Sequence, residues 1–333
     1  MRRIQNPQLK SSSFAILRRL GDGAFHSGEK IAADFSMSRA SVWQALQPFG
    51  ELGVEIFRVP GRGYRLRDPV EWLDGQRIAE SLGGQAALFS VEILEQADST
   101  NRVLLQKAAL GAASGSCVAA ELQTAGRGRR GRSWLAALGG GLTFSVLWRF
   151  EQGAAGLSGL SLAVGVAVMR ALRAAGVQEA MLKWPNDIVC GKCKLAGILI
   201  EMQGDVSGPC AVVIGIGLNF RLAPALRELI DQPVTDVAEQ ARVTPSRNRL
   251  LADILVQLAD VLAEFGLRGF GGLRQEWKSG HCHQDQTVRM TLPNGTQEEG
   301  LARDVADDGA LLLETDQGIK RYTSGEVSLR GMP

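Results

Sequence analysis

Five cysteines and three histidines are all that this 333-residue sequence contains of either type. The cysteines are scattered and odd in number, which excludes a disulfide framework. Cys190-Gly191-Lys192-Cys193 forms a C-x-x-C, but no second pair follows it. His281-Cys282-His283 lies far along the chain, so the paired knuckles of a structural zinc site are missing and no metal site is expected. No G-x-S-x-G run exists and no histidine sits in a motif, which argues against a nucleophilic hydrolase. Apolar runs of membrane-span length are absent too. The nearest, residues 153–169, is bounded by Glu151 and Arg170 and diluted by Gly, Ser and Ala, and reads as a buried helix. The basic start, MRRIQNPQLKSSS, lacks the apolar core of a signal peptide. A cytoplasmic protein with no membrane association is expected.

What remains is ordinary globular composition, 45% hydrophobic and 22% charged, in a length that suits two or three domains. Charge is uneven. Residues 1–68 carry 11 Lys+Arg against 6 Asp+Glu, whereas the remainder has a balance of −3. A basic first fifth on an acidic body suggests that one end meets a polyanion.

That first fifth has an organisation to match. Residues 13–21 mix apolar and basic positions at helical spacing and stop at Gly21-Asp22-Gly23. Ser27 is placed to cap a second helix and Ser38 a third, with only Ser36-Met37 between them, the arrangement of a helix-turn-helix. Pro48 is expected to limit the last helix. Short strands at 54–59 and 64–66 flank Pro60-Gly61-Arg62-Gly63 and read as a wing. Ser38, Arg39, Ser41, Gln44 and Arg62 are the candidate DNA contacts, a lightly charged set. The domain expectation is a winged helix-turn-helix over 1–68 and a linker over 69–76.

Strand candidates at 87–92, 117–121, 142–148 and 212–217 then mix with helices at 157–175 and 247–265. This predicts a mixed-sheet α/β domain over 77–282 inside an α+β multidomain chain. Short strands at 287–291, 310–313 and 319–322, parted by Pro293-Asn294-Gly295, Asp307-Asp308-Gly309 and Asp316-Gln317-Gly318, predict a small barrel over 283–333.

The central part carries the chemistry. GRGRRGRSW (126–134) contains a G-x-G-x-x-G, but a strand and not a helix follows it, and four arginines in seven positions do not suit a bare dinucleotide turn. A glycine loop bearing guanidinium forks suits a phosphate-rich ligand held by side chains. In KWPND (183–187), Pro185 forces a bend from which Lys183, Asn186 and Asp187 project. Lys194 opens an otherwise apolar strand, KLAGILIE, in which Gly197 leaves room at the backbone. DSTN (98–101) is an N-cap signature with spare hydroxyls and an amide, and GIGLN (215–219) ends a strand on a polar amide.

These runs, in this order behind a winged helix-turn-helix, resemble the bifunctional bacterial biotin–protein ligases that also repress the biotin operon. The resemblance covers nearly the whole chain. It implies a biotin/lipoate-ligase-like catalytic domain, an SH3-like C-terminal barrel and a two-step reaction. Biotin and MgATP give biotinyl-5′-AMP and pyrophosphate, and the acyl group passes to one lysine of the biotin carboxyl carrier protein of acetyl-CoA carboxylase. Position by position, it implies that Ser99, Thr100, Asn101 and Gln123 approach the ureido head of biotin. Arg127, Gly128 and Arg129 belong to the loop that folds over carboxyl and phosphate, and Lys194 meets the carboxylate. Lys183 holds ATP phosphates with Arg132 assisting, Trp134 stacks on adenine, Asn219 hydrogen-bonds it, and Arg330 assists ATP use. Asp187 orients or deprotonates the acceptor lysine. Operator DNA and an adenylate-linked homodimer are the further partners implied. A biotin-sensing repressor without ligase activity and a lipoate-type acyl ligase are the alternatives. The complete Lys183, Arg129 and Lys194 set disfavours the first, and the GRGRRGR loop the second.

Overall fold

The computed structural model describes residues 9–136, 138–204, 208–292, 295–323 and 328–331. Its first unit comprises α1 (Ser11–Arg19), α2 (Gly28–Asp34), α3 (Arg39–Glu51) and the hairpin β1 (Ile56–Val59) with β2 (Gly63–Leu66). Ser27 Oγ accepts the Glu29 N–H and Ser38 Oγ the Ser41 N–H, so both expected caps form. Pro48, expected to limit α3, lies inside it. Tertiary packing overrides the missing N–H: Phe49 is fully buried, edge-on to Phe14 at 5.6 Å. Phe14, Ile16, Leu17 and Leu20 fill the core of this unit together with Val42, Leu46 and Tyr64. The same cluster takes in Leu122 and Leu138 from the central part, so the unit is packed against its neighbour.

The stretch expected as a linker is tightly held. Asp74 caps α4 (Gly75–Leu82) and donates its own N–H to Asn248 Oδ1 at 2.7 Å. The Glu71 carboxylate receives the Ser246 hydroxyl, the Arg247 N–H and the Asn248 amide. Arg247 is 1% exposed, and its guanidinium reaches the Glu71 carbonyl at 2.6 Å, the Gly141 carbonyl at 2.8 Å and Glu121 at 3.0 Å. The other oxygen of Glu121 accepts the Leu73 N–H at 2.6 Å.

The central sheet is built from β3 (Ser90–Ala97), β4 (Ser116–Gln123), β5 (Gly141–Phe150), β6 (Ala180–Lys183), β7 (Asp187–Cys190), β8 (Cys193–Gly204) and β9 (Cys210–Asn219). Their order is β3-β4-β5-β9-β8-β7-β6, with β3 and β4 parallel and every other pair antiparallel. Between them run α5 (Thr100–Ala109) and α6 (Leu160–Ala174). After β9 come the short α7 (Pro224–Arg227) and α8 (Val237–Gln240), then α9 (Arg247–Arg268) and α10 (Arg274–Gly280). Helix α6 is buried almost all round, as its unbroken apolar run requires. The expected helix over 157–175 is interrupted at Gly159, whose φ of +82° separates a 3-10 turn from α6. The expected strand over 87–92 begins late: residues up to Leu88 form another 3-10 turn, and pairing starts at Ser90.

The C-terminal part is a five-stranded antiparallel sheet in the order β13-β12-β11-β10-β14. Its strands are β10 (Thr287–Thr291), β11 (Gln297–Val305), β12 (Leu311–Thr315), β13 (Gly318–Tyr322) and β14 (Ser328–Gly331). Among the described residues β13 and β14 do not pair, so the sheet is open where a closed barrel was expected. Pro293 and Asn294 of the expected turn lie outside the described residues, as does the Arg330 side chain. Trp184 Nε1 donates to the Gly309 carbonyl at 3.0 Å, and Arg274 pairs with Asp304 at 2.9 Å, joining this sheet to the centre.

His281 is buried against Trp277, the two rings tilted by 30° with their centroids 4.5 Å apart. Burial, helped by nearby His283, pushes its pKa down from 6.5 to about 3. The folded state therefore holds this imidazole neutral while the unfolded chain protonates it near the ordinary value. Its stabilising contribution is complete above pH 6.5 and drains away as the pH falls towards 3. Thermal melts of the parent should weaken over that interval more than those of His281→Phe; parallel pH profiles would remove His281 as the cause.

Candidate active site

The cleft lies on one face of the central sheet, across β7, β8, β9 and β5. Gly217 on β9, Gly197 on β8, Asp187 on β7 and Lys183 on β6 stand in register as a row. The two glycines form a floor for the Trp134 indole, which a Cβ at Gly217 would strike. Gly215 does the same for Asn101.

At one end of the cleft the groups are polar and dry. Ser99, Thr100 and Asn101 are each 3% exposed. Ser99 occupies the N-cap position of α5, yet its hydroxyl makes no cap bond. The cap comes instead from β4, where Gln123 Oε1 accepts both the Thr100 N–H (2.8 Å) and its hydroxyl (3.1 Å). Ser145 Oγ donates to Asn101 Oδ1 at 2.5 Å and lies 2.7 Å from Thr100 Oγ1. Asn101 Nδ2 donates to Glu201 Oε2 at 2.8 Å and to the Leu199 carbonyl at 3.3 Å. Buried polar groups held this way present donors and acceptors in set directions.

The arginine loop covers the other end. It closes on itself through an Arg127–Ser133 bridge, Gly128 N–H to the Arg132 carbonyl (2.7 Å) and Trp134 N–H to the Gly126 carbonyl (2.8 Å). A 3-10 turn, Arg129–Gly131, forms its tip, with Arg130 left-handed at φ 59°. Arg129 donates to Asn186 Oδ1 at 3.0 Å. Burial lowers its pKa, which Asp187 counteracts and Arg130 and Arg132 reinforce. A partly desolvated guanidinium of this kind favours an anion beside it.

Lys194 Nζ lies 2.7 Å from Asp187 and 5.7 Å from the Trp134 ring centroid. A β-bulge makes this possible. Ile188 pairs with Ala196 and Val189 with Lys194, so Leu195 is the extra residue and turns Lys194 onto the same face as Gly197. Trp184 is buried, the Trp184–Pro185 peptide is cis, and Asn186 Nδ2 donates to the Ile198 carbonyl at 2.8 Å.

Ser99, Thr100, Asn101, Gln123, Arg127, Gly128, Arg129, Arg132, Trp134, Asp187 and Lys194 thus line one cleft. Lys183 stands one strand further out, and Asn219 does not line the wall: its amide donates to the Thr235 and Lys194 carbonyls and fixes the segment behind it. Ser145 and Glu201 were not singled out from the sequence. The available signals were one of two hydroxyls in an otherwise largely apolar strand and the carboxylate closing KLAGILIE.

On the helix-turn-helix unit, Ser38 and Ser41 are engaged at the α3 cap, and Arg39 donates to Glu29 at 3.0 Å. Gln44 is exposed. Arg62, on the wing, lies over Phe25 at 4.3 Å.

The sequence is 38% identical over 316 residues to the bifunctional ligase/repressor BirA of Salmonella typhimurium, an alignment spanning 95% of this chain and 96% of that protein. The chain belongs to the BirA family. The BirA of Bacillus subtilis is 30% identical over 92% of this chain and 94% of its own length. Residues 93–219 match the biotin/lipoate A/B protein ligase family, 283–330 the biotin protein ligase C-terminal domain and 13–65 a helix-turn-helix domain. Among solved structures, a biotin protein ligase from Aquifex aeolicus in complex with biotin and ATP superposes with a TM-score of 0.63. It is 29% identical and covers 73% of this chain and 99% of its own.

Proposed function

We propose that this chain joins biotin to a lysine of the biotin carboxyl carrier protein and represses biotin synthesis genes. The observation that carries the ligase reading is the cleft itself. It has a dry polar end suited to a cyclic urea and a cationic end formed by Lys194 and Arg129. In the first step a biotin carboxylate oxygen attacks the α-phosphorus of ATP, the bond to pyrophosphate breaks, and biotinyl-5′-AMP forms. In the second the acceptor amine attacks the acyl carbon and AMP leaves. Neither step needs an enzyme nucleophile, only positioning and charge neutralisation.

Ser99, Thr100, Asn101 and Gln123 hold the ureido ring, Lys194 the carboxylate, and Arg127, Gly128 and Arg129 the loop above it. Lys183 and Arg132 take phosphates, Trp134 stacks on adenine and Arg330 assists from β14. Asn219 acts on the nucleotide indirectly, through the backbone it braces. Asp187 seats Lys194 before it receives the acceptor lysine. Magnesium enters as MgATP, a substrate: Asp187 is the one carboxylate on the cleft wall among the described residues, and it is already paired.

Residues 1–68, 69–76, 77–282 and 283–333 serve as DNA-binding, connecting, catalytic and C-terminal units, the last curling into an SH3-like barrel. Ser38, Arg39, Ser41, Gln44 and Arg62 face operator DNA, with the α3 cap holding the two serines until DNA arrives. Among the described residues no helix is long and apolar enough to cross a membrane, in keeping with work in the cytoplasm. The outer part of β8 supports an adenylate-linked homodimer. Strand β7 ends its pairing at Gly197 and Asn186 occupies Ile198, which leaves Ile200 and Met202 without a backbone partner on that side among the described residues. An open edge of this sort templates strand pairing. Sedimentation with and without biotinyl-AMP tests it.

The test of the ligase reading is intact-mass spectrometry of a biotin carrier domain incubated with this protein, biotin and MgATP. One ATP-dependent biotin increment on the acceptor lysine is expected; a lipoate increment instead would overturn the pocket assignment. Arg129→Gly should loosen the loop so that adenylate escapes and labels bystander lysines. Strict carrier-only labelling by that variant would count against a retaining loop.

A further inference from the structure

We infer that Glu201 is a positioning residue that ties the urea-binding end of the cleft to the arginine loop. The inference deepens the ligase reading and rests on it. One carboxylate oxygen of Glu201, Oε2, accepts from Asn101 Nδ2 at 2.8 Å and from Arg127 Nη2 at 2.8 Å. Glu201 is not on the cleft wall, so it acts through these two residues.

The first contact orients an amide. Asn101 is buried, with its nitrogen held by Glu201 and its oxygen by the Ser145 hydroxyl. An amide pinned at both ends cannot flip: its two N–H groups go to Glu201 and the Leu199 carbonyl, and Oδ1, held by Ser145, keeps one lone pair for a ligand. The second contact anchors a hinge. Arg127 bridges to Ser133, the pairing from which the loop rises, and its side chain is 37% exposed against 26% for that of Glu201. Because both donors share one oxygen, opening the loop removes a partner from the same atom that sets Asn101. Grip on the urea and closure over the adenylate thus change together.

Glu201→Gln, Glu201→Ala, Arg127→Met and the Gln/Met double variant separate these roles when biotin KM and the release rate of biotinyl-AMP are both measured. Glutamine keeps an acceptor for Asn101 and loses the charge that Arg127 needs. It should speed adenylate release about tenfold while raising biotin KM only about twofold, the loss expected for one charged hydrogen bond. Alanine should raise both by about tenfold, since it removes both partners. Arg127→Met should match glutamine in release, and the double variant should be no faster than either, as residues acting through one contact do not add. Additive effects in the double variant would overturn the inference, as would an alanine variant with raised KM and unchanged release. If alanine fails to fold, the near-isosteric glutamine and the double variant still decide. A parent chain that forms no biotinyl-AMP would overturn the ligase reading and this inference with it; a normal parent with additive variants overturns this inference alone.

Discussion

Lys194→Ala should slow adenylate formation in single-turnover experiments by about 30- to 1000-fold, from loss of roughly 2–4 kcal/mol of charge-assisted contact. Lys194 is 18% exposed in its side chain, so water replaces it poorly. Its removal does more than delete an attraction. Asp187, 21% exposed, would be left facing an incoming carboxylate with its own partner gone, and two like charges in a partly closed site repel. Arginine should rescue little, because a planar guanidinium does not reproduce the compact ammonium that sits 2.7 Å from Asp187. An unchanged rate of adenylate formation would remove Lys194 from the site.

Arg247→Ala should lower folding stability by about 3–5 kcal/mol, the range for breaking a buried ion pair from one side. Neither partner has water in reserve: the Arg247 side chain is 1% exposed and that of Glu121 is fully buried. The substitution strands the Glu121 carboxylate and takes the donor from the Glu71 and Gly141 carbonyls. Denaturant unfolding measures the loss. Arg247→Met combined with Glu121→Leu should recover much of it, since apolar pairs replace buried ion pairs at little net cost. A double variant as unstable as the single would place the defect in the backbone bonds and not in the charge.

What could be read from the sequence was whatever depends on neighbours along the chain. Ser27 and Ser38 cap the helices they precede, and the apolar runs of α6 and α9 are long enough to declare themselves. The runs that line the cleft were legible because each is contiguous. The pairing of Lys194 with Asp187 was not, because it depends on a bulge at Leu195 that changes which face the lysine takes. Gln123 serving as the cap of α5 was equally hidden, since a strand supplies what the residue at the cap position does not. Pro48 misled in the opposite direction. Its local preference was correct, but the burial of Phe49 one residue later outweighed it. The expected linker failed to announce its attachment because Glu71 and Arg247 are remote in sequence and adjacent only in space.

The bond from Trp184 to the Gly309 carbonyl carries a consequence for the order in which the chain is made. Synthesis runs from the N-terminus, so every strand of the central sheet exists before Gly309 has been added. A nascent chain can lay down the cleft floor and the arginine loop, yet the buried Trp184 indole, next to Lys183 in the chain, waits for a carbonyl from the last-made sheet. Competence to form adenylate should therefore arrive late, after the chain is nearly whole. A chain cut short within β11 would leave the buried Trp184 N–H without its carbonyl and the turn from Lys183 to Asp187 held less firmly.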